Sequence, residues 1–153
     1  MHAVIDPKTG ECVAAIVTDE AGSDPKQMES LIQSSPQSVR RVYADGAYDT
    51  LACRQCLHAR EIEDIIPPRR GGKVRQEEAL GNRNASLREL AGLGCDYELW
   101  KKLKRYGRRS LAETFFSRMK GMLGERLASR KKSHQELESL LKIAALNKMV
   151  KMV

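Results

Sequence analysis

Two groups of side chains in this chain have the types and spacing that chemistry would use. The first is Asp45, where the short apolar run Val42-Tyr43-Ala44 stops at Asp45-Gly46. In open α/β sheets, ligands and catalytic groups collect beyond the carboxyl ends of strands. Asp-Gly is also ordinary turn chemistry, which needs no function. The second group is Tyr106, Arg109, Glu113 and Lys120, with gaps of two, three and six residues. On one continuous helix, at about 100° per residue, all four fall within an arc of about 60°. That arc borders an apolar one built from Leu111, Phe115, Phe116, Met119, Met122 and Leu123. A carboxylate flanked by two cations and a phenol suits phosphate handling, with the acid on a metal and the cations on phosphate oxygens. Ser110-Leu111-Ala112-Glu113 equally has the spacing of a capping box, in which Glu113 closes a helix start. The residues alone leave both readings open.

Four cysteines offer a third possibility. Only Cys53 and Cys56 have ligand spacing, with His58 close by, while Cys12 and Cys95 stand alone. A structural zinc site usually has a second ligand pair at short spacing. Leu51, Ala52 and Leu57 with Arg54 and Gln55 read instead as an amphipathic helix carrying reduced, structural thiols.

The elements that must position these groups follow from periodicity and turn chemistry. Ala3-Val4-Ile5 and Cys12 to Val17 flank Asp6-Pro7-Lys8-Thr9-Gly10, so the spacing predicts a β-hairpin. Asp24 as N-cap and Pro25 at the first position predict a helix to about Ser34, with Met28, Leu31 and Ile32 on its apolar face. A strand over residues 39–44, a helix over 49–59 and a strand over 62–66 make a βαβ unit with parallel strands. Residues 69–96, rich in Arg, Gly, Asn and Glu, read as a connecting segment, mobile or on the surface, with a short helical stretch near 84–91. Helices are predicted over 97–105 and 109–127 and from Ser133, the last with Leu137, Leu140, Leu141, Ala144, Ala145 and Met149 at helical spacing. The expected fold is therefore α/β with a mixed sheet, divided into a hairpin plus βαβ part (1–68), the connecting segment (69–96) and a helical part (97–153).

The chain of 153 residues carries a net charge of +7, distributed unevenly. Residues 1–66 hold 6 Lys/Arg against 11 Asp/Glu, whereas residues 101–132 hold 12 Lys/Arg against Glu113 and Glu125 alone. Such polarity fits a polyanionic partner, nucleic acid above all, and fits a solvated basic helix as well. No apolar run approaches the roughly 18 residues a membrane span needs, and the first residues lack the basic and apolar regions of a signal peptide. The expected location is the cytoplasm, with no membrane partner.

Tyr106, Arg109, Glu113 and Lys120 match, gap for gap, the Y-R-E-K signature of bacterial insertion-sequence transposases of the DDE type. Val42-Tyr43-Ala44-Asp45-Gly46-Ala47-Tyr48-Asp49 resembles the strand of that family that bears its second acid. Ile65-Ile66-Pro67-Pro68-Arg69, Arg108 to Thr114 and Ala144-Ala145-Leu146-Asn147 are similar too, so the likeness covers nearly the whole chain. The resemblance implies a ribonuclease-H-like fold, with flanking helices, in which three acids hold two Mg²⁺ or Mn²⁺ ions. By that likeness Asp45 and Glu113 are the second and third acids, both catalytic and metal-holding. Tyr106, Arg109 and Lys120 then position DNA, and the reaction is two-metal phosphodiester hydrolysis and strand transfer on insertion-sequence ends and target.

The chain departs from the family at its start. The family's first acid lies on a strand upstream of a hairpin resembling residues 2–18, and neither Asp6 nor Asp19 stands in that place. The expectation is a C-terminal part of the catalytic domain, lacking the first strand and inactive alone. Its completing partner would be the missing N-terminal segment or a full-length transposase. The competing expectation is a non-catalytic, DNA-binding or regulatory remnant acting through residues 101–132.

Overall fold

The computed structural model describes residues 1–17 and 24–152. Thr18, Asp19 and the capping side chains expected of Asp24 and Pro25 lie outside the described residues. The chain divides into two compact units, one of Met1–Gly22 with Ser110–Val153 and one of Ser23–Arg109.

In the first unit β1 (His2–Ile5) and β2 (Cys12–Ile16) pair antiparallel, from His2 opposite Ile16 to Ile5 opposite Cys12, with an irregularity between Val4 and Ile5. The predicted hairpin is there, and its turn chemistry explains it. The Asp6 carboxylate accepts the Lys8 N–H at 2.8 Å, and Gly10, at φ +74°, closes the turn by donating to the Asp6 carbonyl at 2.8 Å. Positive φ is readily adopted by glycine, which has no Cβ to clash.

The second unit begins with α1 (Asp24–Ser34) and continues through β3 (Arg41–Tyr43), a 3-10 turn (Gly46–Tyr48), α2 (Leu51–Ala59) and β4 (Glu63–Ile65). Strands β3 and β4 are parallel, with Arg41 opposite Glu63 and Tyr43 opposite Ile65, so the βαβ reading holds. Met28 and Ile32 of α1 and Cys53 and Leu57 of α2 bury against Ile62 and Ile66. Thr50 caps α2 by accepting the Cys53 N–H at 3.3 Å. A 3-10 turn (Glu78–Leu80) leads into α3 (Gly81–Gly92), followed by α4 (Tyr97–Leu103), which Asp96 caps through the Leu99 N–H at 2.9 Å. Ile65, Leu90 and Trp100 form a second small core, with Tyr43, Tyr97 and Tyr106 against it.

Helix α3 is longer than the stretch predicted near 84–91, and it is not amphipathic in the usual sense. Its buried residues are Arg83, Asn84, Ser86 and Leu90. A helix whose buried face is mostly polar gives no apolar periodicity to read, because ion pairs and hydrogen bonds rather than hydrocarbon hold it.

Back in the first unit, α5 (Ser110–Leu123) and α6 (Lys132–Val150) cover the hairpin. Phe115 and Met119 of α5 and Ile143 and Leu146 of α6 bury with Cys12. The apolar face expected for the last helix is displaced. Leu137 and Leu141 are 56% and 60% exposed, and Ser139, Ile143 and Leu146 are the buried residues. Helix α6 is apolar on two sides, so periodicity alone did not say which side packs.

The α/β class stands, but the described strands form two separate two-stranded sheets, one antiparallel and one parallel, rather than one mixed sheet. With β3 and β4 only three residues each, neither ladder extends to a further described strand. No helix among the described residues is long and apolar enough to cross a membrane.

Candidate functional site

Strand β3 delivers Asp45 to the end of the parallel ladder. There Asp45 caps the 3-10 turn Gly46–Tyr48, one carboxylate oxygen accepting the Ala47 N–H at 2.9 Å. The turn chemistry weighed for this position is thus real, and it still leaves the side chain 43% exposed. The rest of the arrangement comes from about sixty residues downstream. After α4 the chain reverses through Arg105, at φ +54°, into a 3-10 turn, Tyr106–Arg109. That reversal brings the Tyr106 hydroxyl to the Ala44 carbonyl, to which it donates at 3.1 Å. It also sets the Arg109 guanidinium 4.0 Å from the Asp45 carboxylate. Trp100 supports Tyr106 from behind, its ring 6.5 Å away at a tilted angle. Three of the five sequence-predicted site residues therefore meet at the carboxyl end of β3.

Glu113 and Lys120 lie on α5, in the other unit, and both are exposed. The single helix assumed for all four signature residues is not formed, since α5 starts at Ser110 and Tyr106 and Arg109 sit in the 3-10 turn before it. The shared arc survives for Glu113 and Lys120, seven residues or about two turns apart. The Lys120 ammonium is paired with Glu125 at 2.7 Å.

Beneath the Asp45 loop lies a group of residues that pattern reading missed. Arg54 is fully buried and ion-paired with Asp49 at 2.8 Å and with Asp64, and it donates to the Ile66 carbonyl at 3.1 Å. Arg83 reaches Asp49 at 3.0 Å from α3, and the Arg69 N–H donates to the second Asp49 oxygen at 2.8 Å. Asn82 donates to Asp64 at 2.8 Å. Burial pushes the Arg54 guanidinium down from its ordinary value, and the bond to Asp49 pushes it back. Two acids and two arginines make a neutral buried set, the form in which charges leave water at tolerable cost. Arg54 looked like the polar side of an amphipathic helix, and only its spacing to Leu57 placed it on the buried side.

Cys53 is a core residue of α2 and Cys56 packs at the edge of the same core, with burial raising both thiols. Among the described residues no three His, Cys, Asp or Glu side chains come together as a metal group. Asp45 faces a guanidinium rather than a second acid. Within the second unit the residues around it do not by themselves make a dication site, which needs several oxygen ligands.

The family model of the transposase DDE domain matches residues 1–148. No solved structure matches the chain. Matched over nearly all its length, and carrying an Asp-Gly loop met by a Tyr and an Arg from far along the sequence, the chain belongs to the transposase DDE domain family.

Proposed function

We propose that this chain serves DNA transposition as part of an insertion-sequence transposase with a ribonuclease-H-like catalytic domain, acting on element ends and target DNA. Asp45 and Glu113 contribute two of the three acids, and Tyr106, Arg109 and Lys120 contact DNA phosphates. The family generally uses divalent metal ions, here Mg²⁺ or Mn²⁺. The observation that carries the reading is the meeting of Tyr106 and Arg109 with the Ala44-Asp45 loop. Tyr106 and Arg109 would have no reason to converge on an acid some sixty residues away if they were merely solvated. A guanidinium beside that acid is placed to neutralise a phosphate arriving at the same spot. Asp6 is not proposed as the first acid: it lies in the hairpin turn, where its carboxylate accepts the Lys8 N–H. Two acids are fewer oxygen ligands than a two-ion site uses, so cutting is proposed to require a further acid, supplied by an Asp-bearing strand or a full-length transposase.

A plasmid-nicking assay tests this. With Mg²⁺ or Mn²⁺ the chain alone is expected to leave supercoiled DNA intact. With the completing segment fused or supplied in trans, nicking is expected, and Asp45→Asn or Glu113→Gln should each lower it by orders of magnitude with the fold kept. Nicking by the chain alone that vanishes in Asp45→Asn would refute the missing-acid argument. Near-normal nicking by Glu113→Gln in an active fusion would return Glu113 to the capping role. Binding without cutting in every combination would leave a DNA-binding remnant.

A further inference from the structure

Residues 69–75 carry Arg69, Arg70, Lys73 and Arg75 with no acid among them, and all four are exposed. They lie outside the basic 101–132 region. A run of cations is ordinarily a solvated, mobile face, but this one is fastened from beneath along its length. The Arg69 N–H donates to buried Asp49 at 2.8 Å. The Lys73 carbonyl accepts from Arg83 at 2.9 Å. Asn84 grips the Arg75 backbone twice, accepting its N–H at 3.2 Å and donating to its carbonyl at 2.6 Å. The Pro68 carbonyl accepts the Tyr97 hydroxyl at 3.2 Å, and the Arg70 guanidinium rests 5.5 Å from the centre of the Tyr97 ring.

Glycines make this path possible. Gly71 stands at φ +72°, and a Cβ on Gly72 would fall 2.7 Å from an Arg83 nitrogen and 2.9 Å from the Arg69 carbonyl oxygen. The backbone is thus tied down by buried polar groups while the charges are left outside. Among the described residues the side chains of Arg69, Lys73 and Arg75 have no acidic partner. Elsewhere in the same unit Arg41, Lys101 and Lys104 are paired with Glu63, Glu98 and Glu89.

We propose that the 69–75 loop is a preformed phosphate-backbone contact for duplex DNA, a second nucleic-acid surface apart from residues 101–132. It rests on the reading of DNA as the partner. Seven residues span no more than about 25 Å even when extended, a length over which a duplex carries more than ten phosphate charges, at one per about 1.7 Å. The loop is therefore short enough to lie along one stretch of duplex. Holding the loop in place before binding removes an ordering cost that a mobile basic segment bears on association.

The test is fluorescence anisotropy of labelled duplex DNA with the whole chain across a salt series. Arg69→Gln/Arg70→Gln and Lys73→Gln/Arg75→Gln are compared with Lys8→Gln/Lys26→Gln, which removes the same charge elsewhere. Each phosphate contact contributes about 0.9 to the slope of log affinity on log salt, so each loop pair is expected to lower the slope by nearly two and the control pair by far less. Gly72→Ala keeps every charge and is expected to weaken binding while its melting curve shows a folded chain. Loop and control pairs with equal slopes would overturn the proposal, whatever Gly72→Ala does. So would a poly-glutamate probe that senses the loop pairs when DNA does not, since the loop would then serve an acidic protein. Arg109→Gln in the same series separates the two claims: loss there with none in the loop keeps the site reading and sinks this one, and the reverse does the opposite.

Discussion

Asp45 and Asp49 stand four residues apart on one loop and have opposite surroundings. Asp45 is half exposed, with one backbone N–H and a guanidinium 4.0 Å away. Asp49 is buried and takes Arg54, Arg83 and the Arg69 amide. Asp49→Asn takes the acid from Arg83 and leaves Arg54 with Asp64 alone, and removing one partner of a buried ion pair costs about 3–5 kcal/mol. Urea denaturation should show a loss of that order for Asp49→Asn. Asp45→Asn, which keeps the capping oxygen, should change stability by less than about 0.5 kcal/mol. Equal losses would mean the buried set does not hold the loop. Cys12 offers a pH test at the same scale. Burial pushes its thiol up to about 11, against hydrogen bonds to the Ala14 and Val4 backbone that pull it down. A thiol whose folded pKa lies above its unfolded one contributes stability that is intact below the ordinary value, 9.0, and is lost as pH rises towards about 11. Wild type should therefore lose more stability than Cys12→Ala between pH 8.5 and 11, each compared with itself by denaturation.

Between elements, asparagine side chains take the place of missing strands and caps. Asn147 of α6 accepts the Cys12 N–H and donates to the Cys12 carbonyl, both at 2.8 Å, so a side-chain amide pairs with β2 as a neighbouring strand would. Asn147→Asp keeps the acceptor and loses the donor, while Asn147→Ala loses both. Stability should fall in that order, by about 1–3 kcal/mol for each backbone group left unsatisfied. Asn84 does the same for Arg75, fastening the basic loop to α3. Asn84→Ala should speed tryptic cleavage after Lys73 and Arg75 several-fold, with cleavage elsewhere little changed. Unchanged cleavage in the loop would show that Arg83 and Asp49 hold it without help.

For the molecule as a whole, charge is the property with the longest reach. Twelve basic residues in 101–132 surround helices that also bury a face, so duplex binding by that region should have a salt slope equivalent to roughly four to seven phosphate contacts. Arg109→Gln should lower it by about one. Lys120→Gln should lower it by less, because the Lys120 ammonium is already matched by Glu125. Anisotropy across a salt series reads both, and flat salt dependence would remove DNA as the partner of this chain.

Local chemistry determined much of this protein without tertiary help. The Asp6 to Gly10 turn, the parallel βαβ unit and the α/β class follow from turn residues and periodicity, which act over a few positions. The Y-R-E-K spacing was legible too, as was the Asp-Gly loop at the end of β3. That Tyr106 and Arg109 meet this loop was not, since contacts between residues sixty positions apart depend on a chain reversal at Arg105 that no propensity announces. The same holds for the full length and polar buried face of α3, of which only a short stretch near 84–91 was legible, and for the choice of buried face on α6. Hydrophobic periodicity reports where hydrocarbon leaves water, and it is blind to charges that are buried because a partner awaits them. Arg83 is buried by Asp49, 34 residues away in sequence, and only the folded chain brings the two together.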